Sequence, residues 1–118
     1  MTEHPLNLNL TAWSDADYYE FVDVTNNGDP QVWTDWTDLE MVAAESIQST
    51  ELAFTGTITT ETGKLMISID MATLETALGE STGKSFVYVL RGRPVGTYRV
   101  RLLYGHISIK KGLPEVLT

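Results

Sequence analysis

The chain is written in short apolar–polar alternations of period two, separated by turn residues. Leu6, Leu8 and Leu10 alternate with Asn7, Asn9 and Thr11; Leu65, Ile67 and Ile69 alternate with Met66 and Ser68; Ile107 and Ile109 flank Ser108. Successive side chains of a β-strand point to opposite faces, so each block predicts a strand with one face that must be covered. Further strands are expected at 17–24 (DYYEFVDV), at 38–44 with Leu39, Met41 and Ala43 on one face, at 51–60 with a bend at Gly56, and at 85–90 (SFVYVL). In the last third, Tyr98, Val100, Leu102 and Tyr104 alternate with Arg99, Arg101 and Leu103, and Gly105 is expected to break or bend the strand before 106–110. The strongest turn signal is Asn26-Asn27-Gly28-Asp29-Pro30, followed by Thr62-Gly63 and the Arg91–Gly96 segment.

One helix interrupts this pattern. Asp70 is suited to cap it, Met71 to Leu78 form it, and Gly79 stands where a terminating glycine belongs. Its Leu74 and Leu78 share one face, enough to cap the end of a sheet but not to form a layer. The expected fold is therefore all-β: an antiparallel β-sandwich of about seven to nine strands with one short helix at 71–78, a partly open barrel being the alternative. The 118 residues make one domain, 1–118, large enough for a core without metal or disulfide staples. Its ends, near 1–4 and 112–118, are expected to be flexible.

Charge is unevenly spread. Residues 1–60 carry eleven acidic side chains and no Lys or Arg, whereas residues 61–118 carry eight basic and five acidic ones; −11 and +3 give the net −8. Such polarity suits head-to-tail association or docking on a charged partner, although interleaved strands cancel part of it within the fold. The acidic balance argues against nucleic acid as a partner, because phosphate contacts need clustered Lys and Arg. MTEHPLNLNL has neither the basic nor the apolar part of a signal peptide, and no apolar run is long enough to span a bilayer, so no membrane role is expected.

Catalytic signals are sparse, and no enzymatic role is expected. There is no cysteine, and the two histidines, His4 and His106, lie near opposite ends, with His106 expected on an outer face. Neither a His-based triad nor a His metal site follows from them. Asp15 with Asp17 and Asp35 with Asp38 could offer oxygens to calcium, but the spacing of an EF-hand is missing and a solvated acidic surface is the simpler reading. Gly92-Arg93-Pro94-Val95-Gly96 lacks the Gly-Lys-Ser/Thr ending of a phosphate loop, and no cofactor is expected. Two groups remain as interface candidates. Arg91, Arg93, Arg99 and Arg101 are outward cations of the last meander, suited to partner carboxylates. Trp13, Trp33 and Trp36 supply core, end-cover, a contact hot spot or a sugar-stacking platform.

The order of these blocks resembles a group of small tailed-phage structural proteins that share an Ig-like β-sandwich module with the N-terminal domain of some baseplate fibre-support proteins. The corresponding blocks are Asn27-Gly28-Asp29-Pro30, then Trp33-Thr34-Asp35-Trp36, then 37–44, Gly63 to Ile69 with the helix Met71 to Leu78, Phe86 to Leu90, Gly96-Thr97-Tyr98, Arg101 to Gly105, and Ile107-Ser108-Ile109. Two blocks depart from the pattern: Trp-Thr-Asp replaces Leu-Thr-Gly, and Ala44-Glu45 replaces a basic strand end. The resemblance implies a non-enzymatic building block of the virion, present in the host cytoplasm during assembly, with other virion proteins as partners and a homo-oligomer, trimer or ring. Tail, baseplate or fibre attachment is the leading position, and capsid decoration on the head surface is the alternative. A carbohydrate-binding module is the reading from another class. Three coplanar exposed aromatic rings would favour sugar, and a buried tryptophan set would favour assembly.

Overall fold

The computed structural model describes residues 6–94 and 98–113. Ten strands and one helix follow in order: β1 (Leu6–Asn7), β2 (Leu10–Trp13), β3 (Tyr18–Asp23), β4 (Thr25–Asn26), β5 (Asp29–Pro30), β6 (Trp36–Ala44), β7 (Phe54–Glu61), β8 (Lys64–Ile69), α1 (Met71–Leu78), β9 (Gly83–Pro94) and β10 (Val100–Lys110). Eight strands form one curled sheet in the order β1-β10-β9-β6-β7-β8-β3, with β2 also on β10, while β4 and β5 make a separate hairpin. The all-β, sandwich-like expectation holds, with one departure. β1 and β2 lie parallel to β10, Leu6 opposite Leu103 and Leu10 opposite Ile107. Alternation predicts a strand but not its direction, and nearly the whole chain lies between β2 and β10, so no hairpin turn imposes an antiparallel pair.

The sheet folds into two layers at Gly56. Phe54 to Gly56 pair with β6, and Thr57 to Glu61 pair with β8. A Cβ at Gly56 would lie 3.3 Å from both the Met41 sulfur and the Ser68 carbonyl oxygen, so the smallest residue sits where the strand changes layers. Between the layers lie Phe86, Leu90, Ile107, Ile109 and Met41 from one side and Leu65, Ile67 and Ile69 from the other, all nearly inaccessible to water. Helix α1 closes one end with buried Leu74 and Leu78. The Asp70 carboxylate accepts from Thr73 N at 2.8 Å; hydrogen bonding from the Thr73 side chain first and from its backbone second holds the Asp70 pKa below the usual carboxylate value, and Gly79 ends the helix with φ 62°. The predicted turn forms as a two-residue hairpin loop, Asn27 and Gly28 both having the positive φ that such a loop needs.

The last third differs from its sequence reading. β9 continues through Arg91 and Arg93 instead of turning there, and β10 runs unbroken through Gly105. The irregularity lies at Leu102, an extra residue between the pairs Arg101–Arg91 and Leu103–Leu90. This bulge exchanges the two faces, so Leu103 enters the core and Tyr104 faces outward. The calls on His4 and on Val95 to Thr97 lie outside the described residues, as do those on the ends at 1–4 and 114–118. Gly112 and Leu113, expected to be loose, are tied down: their amides donate to Ser14 Oγ at 3.0 Å and Asp15 Oδ2 at 3.1 Å.

Two tyrosines meet inside the curl. Tyr18 donates to Glu20 Oε1 at 2.7 Å, and Tyr88 donates to the Leu8 carbonyl at 2.5 Å. Burial first, and the Glu20 charge second, push the Tyr88 hydroxyl up to about 12; burial and the bond to Glu20 raise Tyr18 further. A phenol that resists ionisation in the fold contributes stability that is complete below the unfolded value of 10.0 and disappears as pH rises through the folded one. Unfolding free energy is therefore expected to fall between pH 10.0 and about 12, and Tyr88→Phe to flatten that limb in denaturant titrations at stepped alkaline pH. An unchanged limb in Y88F would exclude Tyr88 as its source.

Candidate functional site

Two bulges shape the outer face of the β6–β9–β10 layer. In β6, Thr37 pairs with Arg93 and Glu40 with Arg91, so Asp38 and Leu39 together oppose Gly92. Asp38 takes φ 56°, a conformation that aspartate tolerates better than most residues. Gly92 is small because Leu39 and Trp36 pack on it; an added Cβ would lie 2.7 Å from Leu39 Cδ2. The second bulge, at Leu102, aligns Arg101 with Arg91. Glu40, Arg91 and Arg101 thus form one outward row across three strands.

Within this row Arg91 Nε donates to Glu40 Oε1 at 2.8 Å, Arg99 Nη1 lies 3.6 Å from the same oxygen, and Arg93 Nε donates to Asp38 Oδ2 at 3.0 Å. These pairs are partly solvated, so each is worth about 0.2–1 kcal/mol. They join the two charge-polarised halves of the sequence within the chain. Among the described residues Arg101 makes no ion pair, and the four guanidiniums meet two carboxylates. A local positive excess therefore sits on a chain of net charge −8.

Next to the arginines the same face becomes apolar. The rows Val42–Val89–Tyr104 and Ala44–Val87–His106 floor a groove of about 430 Å³, with Ile47 and Leu52 of the 45–53 loop on its rim. Ile47 is 88 % exposed and Leu52 56 %. An apolar floor beside unshielded loop side chains is a feature of contact surfaces. Sequence reasoning missed this groove, yet β9 carried its signal: Phe86, Tyr88 and Leu90 fill the core while Val87 and Val89 make the other face apolar as well. A strand apolar on both sides is a strand covered on both sides.

The seven residues singled out from sequence separate into three places. The four arginines gather on this face, with Arg91 and Arg93 in a strand and not in a turn. Trp33 is a core residue, its Nε1 donating to the Glu61 and Lys64 carbonyls at 2.9 and 3.1 Å, and Trp36 packs edge-on against it with ring centroids 5.3 Å apart. Trp13 stands alone at the far end of β10, half exposed, with Lys110 Nζ 5.6 Å from its ring centroid. The Asp pairs act locally: Asp15 holds Leu113 N, Asp17 accepts from Met71 N at 2.7 Å, and Asp38 holds Arg93. His106 is exposed, as its alternation with Ile107 requires.

No protein-family model matches the chain, and no curated protein matches it at a significant level.

Proposed function

We propose that the chain is a non-enzymatic assembly module, a structural protein of a tailed-phage virion in the tail, baseplate or fibre-attachment region. The observation that carries this reading is the arginine row joined to an apolar groove on an otherwise acidic chain. A contact surface combines such an apolar centre with charged groups that select the partner. The chain itself carries a net charge of −8, with most of its acidic residues in the first half, so a second copy is the proposed occupant. A head-to-tail contact of this type closes into a ring or runs open. The tryptophans support assembly over sugar binding, since Trp33 is buried, Trp36 is set at 64° to it and Trp13 is remote from both.

Sedimentation in a salt series tests it. An oligomer is expected at ~0.02 M salt, where charges act over about 20 Å, and its dissociation at ~1 M, where they act over about 3 Å. Arg101→Glu should give a folded monomer at both. A monomer at every salt concentration would remove self-assembly from the reading, and an R101E protein that assembles like the parent would remove the arginine face.

A further inference from the structure

Among the described residues the curl of the sheet is not closed. β2 and β3 are joined by the short turn at Ser14 to Asp17 but do not pair, so β3 and the β1–β2 line form the two lips of a seam. Val24 N donates to the Gly63 carbonyl at 2.8 Å, continuing the β3–β8 register in which Val22 meets Leu65 and Glu20 meets Ile67. Antiparallel pairs bond at every second residue. The N–H and C=O groups of Tyr19, Phe21 and Asp23 therefore point away from β8, and among the described residues no strand receives them.

Three further observations lie along this lip. The side chains of Tyr18, Glu20 and Val22 point inward, and Glu20 places a carboxylate in the seam. Beyond Val22 a cavity of about 270 Å³ opens between the lips, with Leu6, Val22, Val24, Leu65 and Leu103 as its apolar lining and Asp23 and Arg101 at its polar side. Gln31, only 6 % exposed, also lines it, and its Oε1 has no hydrogen-bond partner.

We infer that the β3 lip is a docking edge for an extended segment of another protein, carrying a Lys or Arg two residues from a bulky apolar side chain. The guest strand adds to the sheet through the outward backbone groups of Tyr19, Phe21 and Asp23. Its inward cation lies against Glu20, and its apolar side chain fills the cavity beyond Val22, since inward side chains of a strand recur every second residue. Tyr19 and Phe21, 56 % and 69 % exposed, stand on the outer face as cross-strand neighbours for the guest. A second copy of β3 is a poor guest, because pairing β3 with itself adds Glu20 and Asp23 to the same two acids. An inward charge on an edge strand also guards against such self-pairing. The inference does not rest on the virion reading, although its cavity shares Arg101 with the arginine groove.

The test is amide hydrogen exchange on the full chain with two blocked heptapeptides, Thr-Lys-Thr-Leu-Thr-Val-Thr and Thr-Glu-Thr-Leu-Thr-Val-Thr. The Lys peptide is expected to slow exchange at Tyr19, Phe21 and Asp23 and to bind about tenfold more tightly than the Glu peptide, with Glu20→Gln erasing that preference. Phe21→Pro removes an outward N–H without touching the β8 ladder and should abolish the protection. If F21P fails to fold, the E20Q comparison decides alone. The inference is overturned if neither peptide protects these amides, if both bind alike, or if protection appears with protein concentration alone, which would identify a second copy as the guest.

Discussion

Phe86→Ala is expected to lower the free energy of unfolding by about 3–5 kcal/mol, the cost typical of emptying a fully buried aromatic site. Phe86 is 1 % exposed and meets the Phe54 ring edge-on, with centroids 5.2 Å apart. Phe54 begins β7 at the end that pairs with β6, and Phe86 pairs with Ile107 in β10, so this contact links the strand that changes layers to the central hairpin. Packing around such a site relaxes only partly, and a domain of this size has a total of about 5–15 kcal/mol to lose. Val87→Ala, one residue along on the groove floor, should cost under ~1 kcal/mol, because that side chain is only half-buried. Paired denaturant titrations of the two variants measure the difference. Equal losses would mean that the groove face is as tightly packed as the core, and the groove would then be no contact surface.

Gly105→Ala should be the most damaging small change outside the core, at about 2–4 kcal/mol. Gly105 has φ 155°, and an added Cβ would lie 2.5 Å from the Leu8 carbonyl oxygen and 2.9 Å from Asn9 Oδ1. Those two atoms hold the N-terminal strands in place. Leu8 N donates to the Tyr104 carbonyl at 2.9 Å, the Leu8 carbonyl accepts from Tyr88, and Asn9 Oδ1 accepts from His106 N at 3.0 Å. Crowding at Gly105 pushes the β1–β2 line off β10, so amide exchange should quicken at Leu8 before it quickens in β9. Gly105→Ala with Asn9→Ala relieves the side-chain contact but leaves the backbone one, and should recover only part of the loss. A variant within about 0.5 kcal/mol of the parent would show that β1 and β2 are not anchored there.

Both expectations rest on features with different legibility in the sequence. The strand at 85–90 and the helix were legible, the helix from Asp70, Leu74, Leu78 and Gly79, because capping and periodicity are local properties of the chain; that Phe86 and not Val87 faces the core was not, since both are apolar. The use of Gly105 did not follow. The expected break or bend is not there, and the glycine's physical role is the close approach of Leu8, which lies nearly one hundred residues away in sequence. The arginines were read as outward cations, and they are. That Glu40 and Asp38 pair with three of them, while Arg101 makes no ion pair among the described residues, depended on two bulges, each a one-residue slip that period-two counting cannot register. The error over Leu102 and Leu103 has that same cause, since one inserted residue exchanges the faces of every position beyond it.

Sequence alone determined that this chain is a set of short strands with one capped helix, and it determined which residues could fill a core, because hydrophobic alternation and turn chemistry act over a few residues. Tertiary structure decided the direction of β1 and β2 against β10, the change of layers at Gly56, the assembly of the arginine row beside an apolar groove, and the seam left open along β3. These depend on which strands meet across the curl, and that is settled by burial and backbone pairing between distant segments, which no local pattern records.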